Sequence, residues 1–176
     1  SIPEPNKTYY CGIDWGRIQD SSVITIISRD KDGNIKVENV IEKINTPFSE
    51  QIALICKLHQ NYGFRKIVSE YAGLSISPCE QLKQKGLPVV FFKPTIDSKE
   101  EAYNFLKKQM EDKKLMIPKN HIKLQSELRL FQYQITASGK TKLFHLAKSS
   151  DDFCDSLMIA VWATKMPIMI EHFLIF

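Results

Sequence analysis

TYYCGIDWG, residues Thr8 to Gly16, is a run of β-forming residues closed by a glycine, with one aspartate set inside it. Such a run reads as a strand. SVITIIS, Ser22 to Ser28, reads as a second strand after a short connection. Lys31-Asp32-Gly33-Asn34 supplies turn residues that accept positive φ, and Ile35 to Ile44 reads as a third strand. Three strands joined by such short links form an antiparallel meander.

Outward from this meander the pattern changes period. Phe48, Ile52, Ile55, Cys56 and His59 fall at helical spacing within Pro47 to Tyr62, and Gly63 stops the run. KIVSEY, Lys66 to Tyr71, is a short apolar strand ending near Glu70. Ser77 to Lys85 reads as a helix, Pro88 to Phe92 as a strand, and Asp97 to Lys114 as a charged amphipathic helix capped by Asp97 or Ser98. A short strand from Leu115 to Pro118 follows, then a helix from His121 to Leu130 capped by Asn120. Phe131 to Thr136 and Thr141 to Leu146 form a hairpin, and a helix runs from about Asp151 to Lys165. A meander followed by alternating helices and strands predicts an α/β fold, a mixed sheet covered by helices on both faces.

At 176 residues the chain is long enough for one well-buried core, and 43% hydrophobic with 25% charged residues is ordinary for a globular domain. The net charge of +4 is too mild to identify a partner. Cys11, Cys56, Cys79 and Cys154 form no CxxC pair and no zinc-finger spacing, so reduced thiols in an intracellular setting are expected. SIPEPNK at the start lacks the apolar core of a signal peptide, and PIMIEHFLIF at the end is too short to span a bilayer, so no membrane role is expected. Neither a Walker A loop nor a GxGxxG turn occurs.

The chemistry lies in where the acids fall. Strand alternation puts Gly12, Asp14 and Gly16 on one face, and the two glycines are expected to leave open space beside the carboxylate. An aspartate pointing from an edge strand into water is the alternative. Glu70 ends a strand that should be central, where ligands of open α/β sheets gather; a charged exit to solvent, which is common, is the alternative. SSDDFCDSLMIAVW brings Asp151, Asp152 and Asp155 to the first turns of an otherwise apolar helix. Capping and the helix dipole explain one or two of them. They explain Asp155 least, since it lies among apolar residues where a carboxylate needs a cation. Together these acids make an oxygen-only site suited to Mg²⁺ or Mn²⁺. Two such ions about 3.5–4 Å apart can cleave a phosphodiester.

Asp on the first strand, Glu ending the fourth and an Asp-rich late helix resemble the ribonuclease H-like nucleases. More narrowly, GIDWGRIQDSSVI, IVSEYAG and TASGKTKLFHLAKSSDDFCDSLMIA resemble, in order, the C-terminal nuclease domain of viral large terminase subunits. That resemblance implies a metal-dependent endonuclease that cuts double-stranded viral DNA concatemers during genome packaging. It implies Asp14, Glu70, Asp152 and Asp155 as catalytic metal ligands, with Asp20, Asp151 and His145 as accessories. It further implies a single nuclease domain over 1–176, cut from a longer chain with an N-terminal packaging ATPase domain. A portal and a small terminase subunit would be partners, in the host cytoplasm. The family often has His before the paired acids and Ala after the last; here Ser150 and Ser156 stand there, leaving open which late aspartate is essential.

Arg17, Lys140 and Lys142 are candidates for phosphate contact, with solvated surface lysine as the alternative. His59, His121 and His172 are expected to be incidental, and Trp15 and Trp162 to be core. Two other readings remain: a related nuclease such as a junction resolvase or transposase, of which a resolvase would act as a dimer spaced for a four-way junction, and a non-catalytic DNA-binding or assembly module, against which the intact acid set argues.

Overall fold

The computed structural model describes residues 3–16, 21–135, 141–145 and 151–165. The meander forms as the β-forming runs and the turn predict: β1 (Thr8–Asp14), β2 (Ser22–Arg29) and β3 (Ile35–Lys43) pair antiparallel in chain order. Gly33 takes φ 86° in the turn, and the Asp30 carboxylate accepts from the N–H groups of Asp32 and Asn34. β4 (Lys66–Glu70) lies parallel to β1, β5 (Val89–Phe92) parallel to β4, and the two-residue β6 (Leu115–Met116) parallel to β3. The result is a mixed six-stranded sheet in the order β5-β4-β1-β2-β3-β6. β7 (Phe131–Ile135) and β8 (Thr141–His145) form a separate antiparallel pair, as the hairpin pattern predicts.

Helices cover both faces. Cys11, Ile13, Ile24, Ile26 and Ile67 point toward α1 (Phe48–Tyr62) and α2 (Ile76–Gln84). Tyr10, Val23, Ile27, Val37 and Val68 point toward α3 (Ile96–Glu111), α4 (Ile122–Leu130) and α5 (Asp152–Trp162). Trp15 packs against the first cluster and Trp162 against the second, as core residues would. No cysteine is in a disulfide. Among the described residues no helix is long and apolar enough to cross a membrane.

α5 is the element that matters most for the site. Every residue from Phe153 to Val161 is buried, which is how a helix apolar on all sides must sit. It crosses the sheet over Gly12, and a Cβ built on that glycine would fall 2.4 Å from the backbone nitrogen of Ala160 and 2.4 Å from the carbonyl oxygen of Ser156. The expectation of open space beside Asp14 is therefore corrected at Gly12. The glycine makes room for a helix, and backbone fills that room.

One cap also differs from expectation. α3 begins at Ile96, and Thr95 caps it: its Oγ1 accepts from the Ser98 N–H at 3.1 Å while Ser98 Oγ accepts from the Thr95 N–H at 2.8 Å. Asp97 and Ser98 already lie within the helix. A threonine in extended conformation directly ahead of the first turn has the geometry that a capping side chain needs.

Candidate metal centre

Parallel pairing of β1 with β4 sets Ile13 beside Ser69, so Asp14 and Glu70 end neighbouring strands at one edge of the sheet. α5 lowers Asp155 onto the same point. One carboxylate oxygen from each of Asp14, Glu70 and Asp155 lies within 4.8 Å of the others. Asp14 is 8% and Asp155 4% exposed, while Glu70 is half-buried. Burial first, then the hydrogen bond shared with Glu70 and the charges of Asp155, Glu70 and Asp152, push the Asp14 carboxyl well above the usual carboxylate range.

Asp155 is held from α3. Lys99 Nζ donates to its Oδ2 at 2.5 Å, and the Tyr103 hydroxyl donates to its Oδ1 at 2.5 Å. Lys99 and Tyr103 are four residues apart, so they share one helix face. Burial alone would lower the Lys99 ammonium, but the charge and hydrogen bond of Asp155, with the charges of Glu70 and Asp151, together outweigh it and hold its pKa up. Burial pushes Asp155 up against the opposing pull of Lys99, and the net direction is upward. At its back, α5 is pinned to the sheet by Ser156, whose Oγ lies 3.1 Å from the Gly12 carbonyl and 2.9 Å from Thr25 Oγ1. The strand end bearing Glu70 is fixed likewise. Trp15 Nε1 donates to Ser69 Oγ at 2.7 Å, and Cys79 Sγ donates to the Glu70 carbonyl at 3.2 Å.

None of the remaining sequence candidates is among the three converging acids, and some lie outside the described residues. Asp152, one turn before Asp155, accepts from Ser21 Oγ at 3.4 Å and contributes charge at Asp14, but it is not among the three converging acids. Asp151 immediately precedes α5 and makes no side-chain cap bond. His145 and Lys142 lie on β8, opposite Phe131 and Gln134. Arg17, Asp20 and Lys140 lie outside the described residues. Lys99, Tyr103, Ser156 and Glu127, whose carboxylate accepts from the Cys154 N–H at 3.0 Å, escaped the sequence reading as parts of this assembly. Their partners are 27 to 144 residues away in the chain, and a lysine on a charged helix looks like any solvated one.

Three carboxylates this close repel one another unless a proton or a cation lies among them. The donor set consists only of hard oxygens, which suits Mg²⁺ or Mn²⁺, so Asp14, Glu70 and Asp155 could hold such an ion.

No family model matches the chain. A large terminase subunit of Thermus phage G20c is 30% identical over 158 residues, which is 89% of this chain and 32% of that protein. The chain thus spans about a third of the length of the curated relatives it matches. Among solved structures, the large terminase nuclease of phage G20c with bound magnesium superposes with a TM-score of 0.78 at 26% identity, covering 92% of this chain and 84% of that one. The nuclease domain of the phage SPP1 large terminase, with bound Mn, shares the fold: TM-score 0.66, 15% identity, covering 92% and 89% of the two chains. The mixed sheet flanked by helices is the ribonuclease H-like fold of these nucleases. In sequence and in fold, along nearly its whole length, this chain is similar to the nuclease domain of phage large terminase subunits.

Proposed function

We propose that the chain is a metal-dependent endonuclease domain that cuts double-stranded viral DNA concatemers into genome units during packaging. The observation that carries this reading is the convergence of Asp14, Glu70 and Asp155 within 4.8 Å at one edge of the central strands. On this reading those three acids hold two Mg²⁺ or Mn²⁺ ions, with Asp152 completing the set from the rim. Asp20, Asp151 and His145 are accessories, and Arg17, Lys140 and Lys142 meet the DNA backbone. The domain belongs to a longer polypeptide with an N-terminal packaging ATPase domain. It works with a portal and a small terminase subunit in the host cytoplasm.

When bound, the ions supply Lewis-acid polarisation of the scissile phosphodiester and offset its charge. The protein's own part is positional. Asp14 and Glu70 are fixed by strand register, while Asp155 is fixed between Lys99, Tyr103 and the pinned helix. The Lys99 ammonium, engaged by Asp155, also adds positive charge beside the three acids.

Plasmid nicking with Mg²⁺ and with Mn²⁺ tests the reading. Wild-type protein should nick supercoiled plasmid only when a divalent ion is added. Asp14→Asn, Glu70→Gln and Asp155→Asn should each slow nicking by more than about 100-fold, since even outer-shell partners of metal sites are worth 10–100-fold. Undiminished nicking by Asp14→Asn would sink it.

A further inference from the structure

The first turn of α5 leaves backbone N–H groups without partners inside the helix, and at this depth an acceptor has to be found for them. Asp151, the residue in the capping position, makes no side-chain cap bond. The acceptor comes instead from α4. The Glu127 carboxylate accepts from the Cys154 N–H at 3.0 Å, with the Phe153 N–H as a second, weaker donor. Phe153 and Cys154 are the second and third residues of α5, the two positions that a capping side chain serves. Glu127 is 9% exposed, and a buried carboxylate beside Asp151 and Asp152 is costly. Charge-assisted hydrogen bonds and the positive end of the helix offset that cost.

The turn capped this way is the one that delivers the late acids. It contains Asp152, and it is closed by the Asp155 N–H donating to the Asp151 carbonyl at 2.8 Å. Each helical residue adds a rotation of about 100° and about 1.5 Å of rise. Slippage by one residue would therefore carry Asp155 away from Asp14 and Glu70. We infer that Glu127 is a positioning residue of the acidic site, holding the first turn of α5 from a neighbouring helix so that Asp155 meets Asp14 and Glu70. The inference rests on the nuclease reading for its catalytic consequence, while the cap itself can be tested without metal or DNA.

The experiment compares wild type with Glu127→Ala, Glu127→Gln and Glu127→Asp. Three quantities are read: Mn²⁺ affinity by calorimetry, kcat and KM for plasmid nicking, and amide exchange at Phe153 and Cys154. Glu127→Ala should speed exchange at both amides, weaken Mn²⁺ binding by about 10–100-fold and lower kcat with KM for DNA unchanged. Glu127→Gln keeps an acceptor of the same reach and should restore affinity and kcat to within about threefold. Glu127→Asp, one methylene short, should behave like the alanine variant, and it serves as the informative variant if Glu127→Ala fails to fold. Unchanged exchange and affinity in Glu127→Ala, or a glutamine variant as impaired as the alanine one, would overturn the inference. Failure of the wild type to bind Mn²⁺ and nick DNA would overturn the nuclease reading instead.

Discussion

Gly12 decides how closely a helix can approach the strand that carries Asp14. Any side chain there would drive its Cβ into the backbone of α5, with Ala160 N and Ser156 O both at 2.4 Å. Backbone cannot rotate aside as a flexible side chain can, so the helix would have to lift. Gly12→Ala is expected to cost about 3 kcal/mol or more, the upper end for overpacking a close-packed core. Lifting α5 would also withdraw Asp155 from Asp14 and Glu70, so nicking should fall with stability. Urea unfolding measures the first effect and plasmid nicking the second. A variant within about 0.5 kcal/mol of wild type, the range of an ordinary surface change, would mean that the close approach is not needed. From sequence, glycines flanking an acid signal only that side chains are unwelcome there. Whether a ligand or a helix uses the space depends on packing between residues far apart in the chain.

Among the elements, those with a clear period were legible and those held by remote partners were not. β1 to β3 announced themselves by runs of β-forming residues and a turn of fixed chemistry, and α1 by its apolar stripe and Gly63, which adopts φ 58° at the helix end. α3 was legible as a helix, but its cap was misplaced because Thr95, Asp97 and Ser98 are all competent capping residues. The role of α3 was hidden altogether, since Lys99 and Tyr103 reach Asp155 across 56 and 52 residues. Asp14, Glu70 and Asp155 could be named because acids ending apolar elements are conspicuous, whereas the side chains that hold Asp155 in place are of ordinary type. Thr95 lies one turn before Lys99, which makes the cap testable at this scale. Thr95→Ala removes the hydroxyl that accepts from the Ser98 N–H, leaving the Thr95 N–H bond to Ser98 Oγ, and should destabilise the protein by about 1 kcal/mol. That corresponds to a drop in Tm of about 2–4 °C for a chain of this size, readable by thermal denaturation. No change in Tm would show that α3 is held by its buried face alone, through Ala102, Tyr103 and Leu106.

The whole molecule places several acids where protons and metal ions compete. Burial and neighbouring charge raise Asp14 well above its ordinary 3.8, and burial raises Asp155 from the same value. Burial raises Glu127 from 4.5 to about 7. A carboxyl whose pKa is higher folded than unfolded binds more protons in the folded state. Its contribution to stability is therefore fully present below the unfolded value, near 4, and is lost as pH climbs through the folded one. Without divalent ions the protein should thus be more stable at about pH 5 than at pH 8, as far as these groups decide it. A bound cation reverses the preference, because carboxylate ligands must lose their protons to hold it. The rise in Tm on adding Mg²⁺ or Mn²⁺ should therefore grow steadily from about pH 5.5 to pH 8, and nicking should grow with it. Calorimetry across that range gives a second check, since protons must be released on binding at the acid end and fewer at the alkaline end. A metal-induced shift in Tm that stays constant across these pH values would mean that the converging acids are already ionised and do not share their site with a proton.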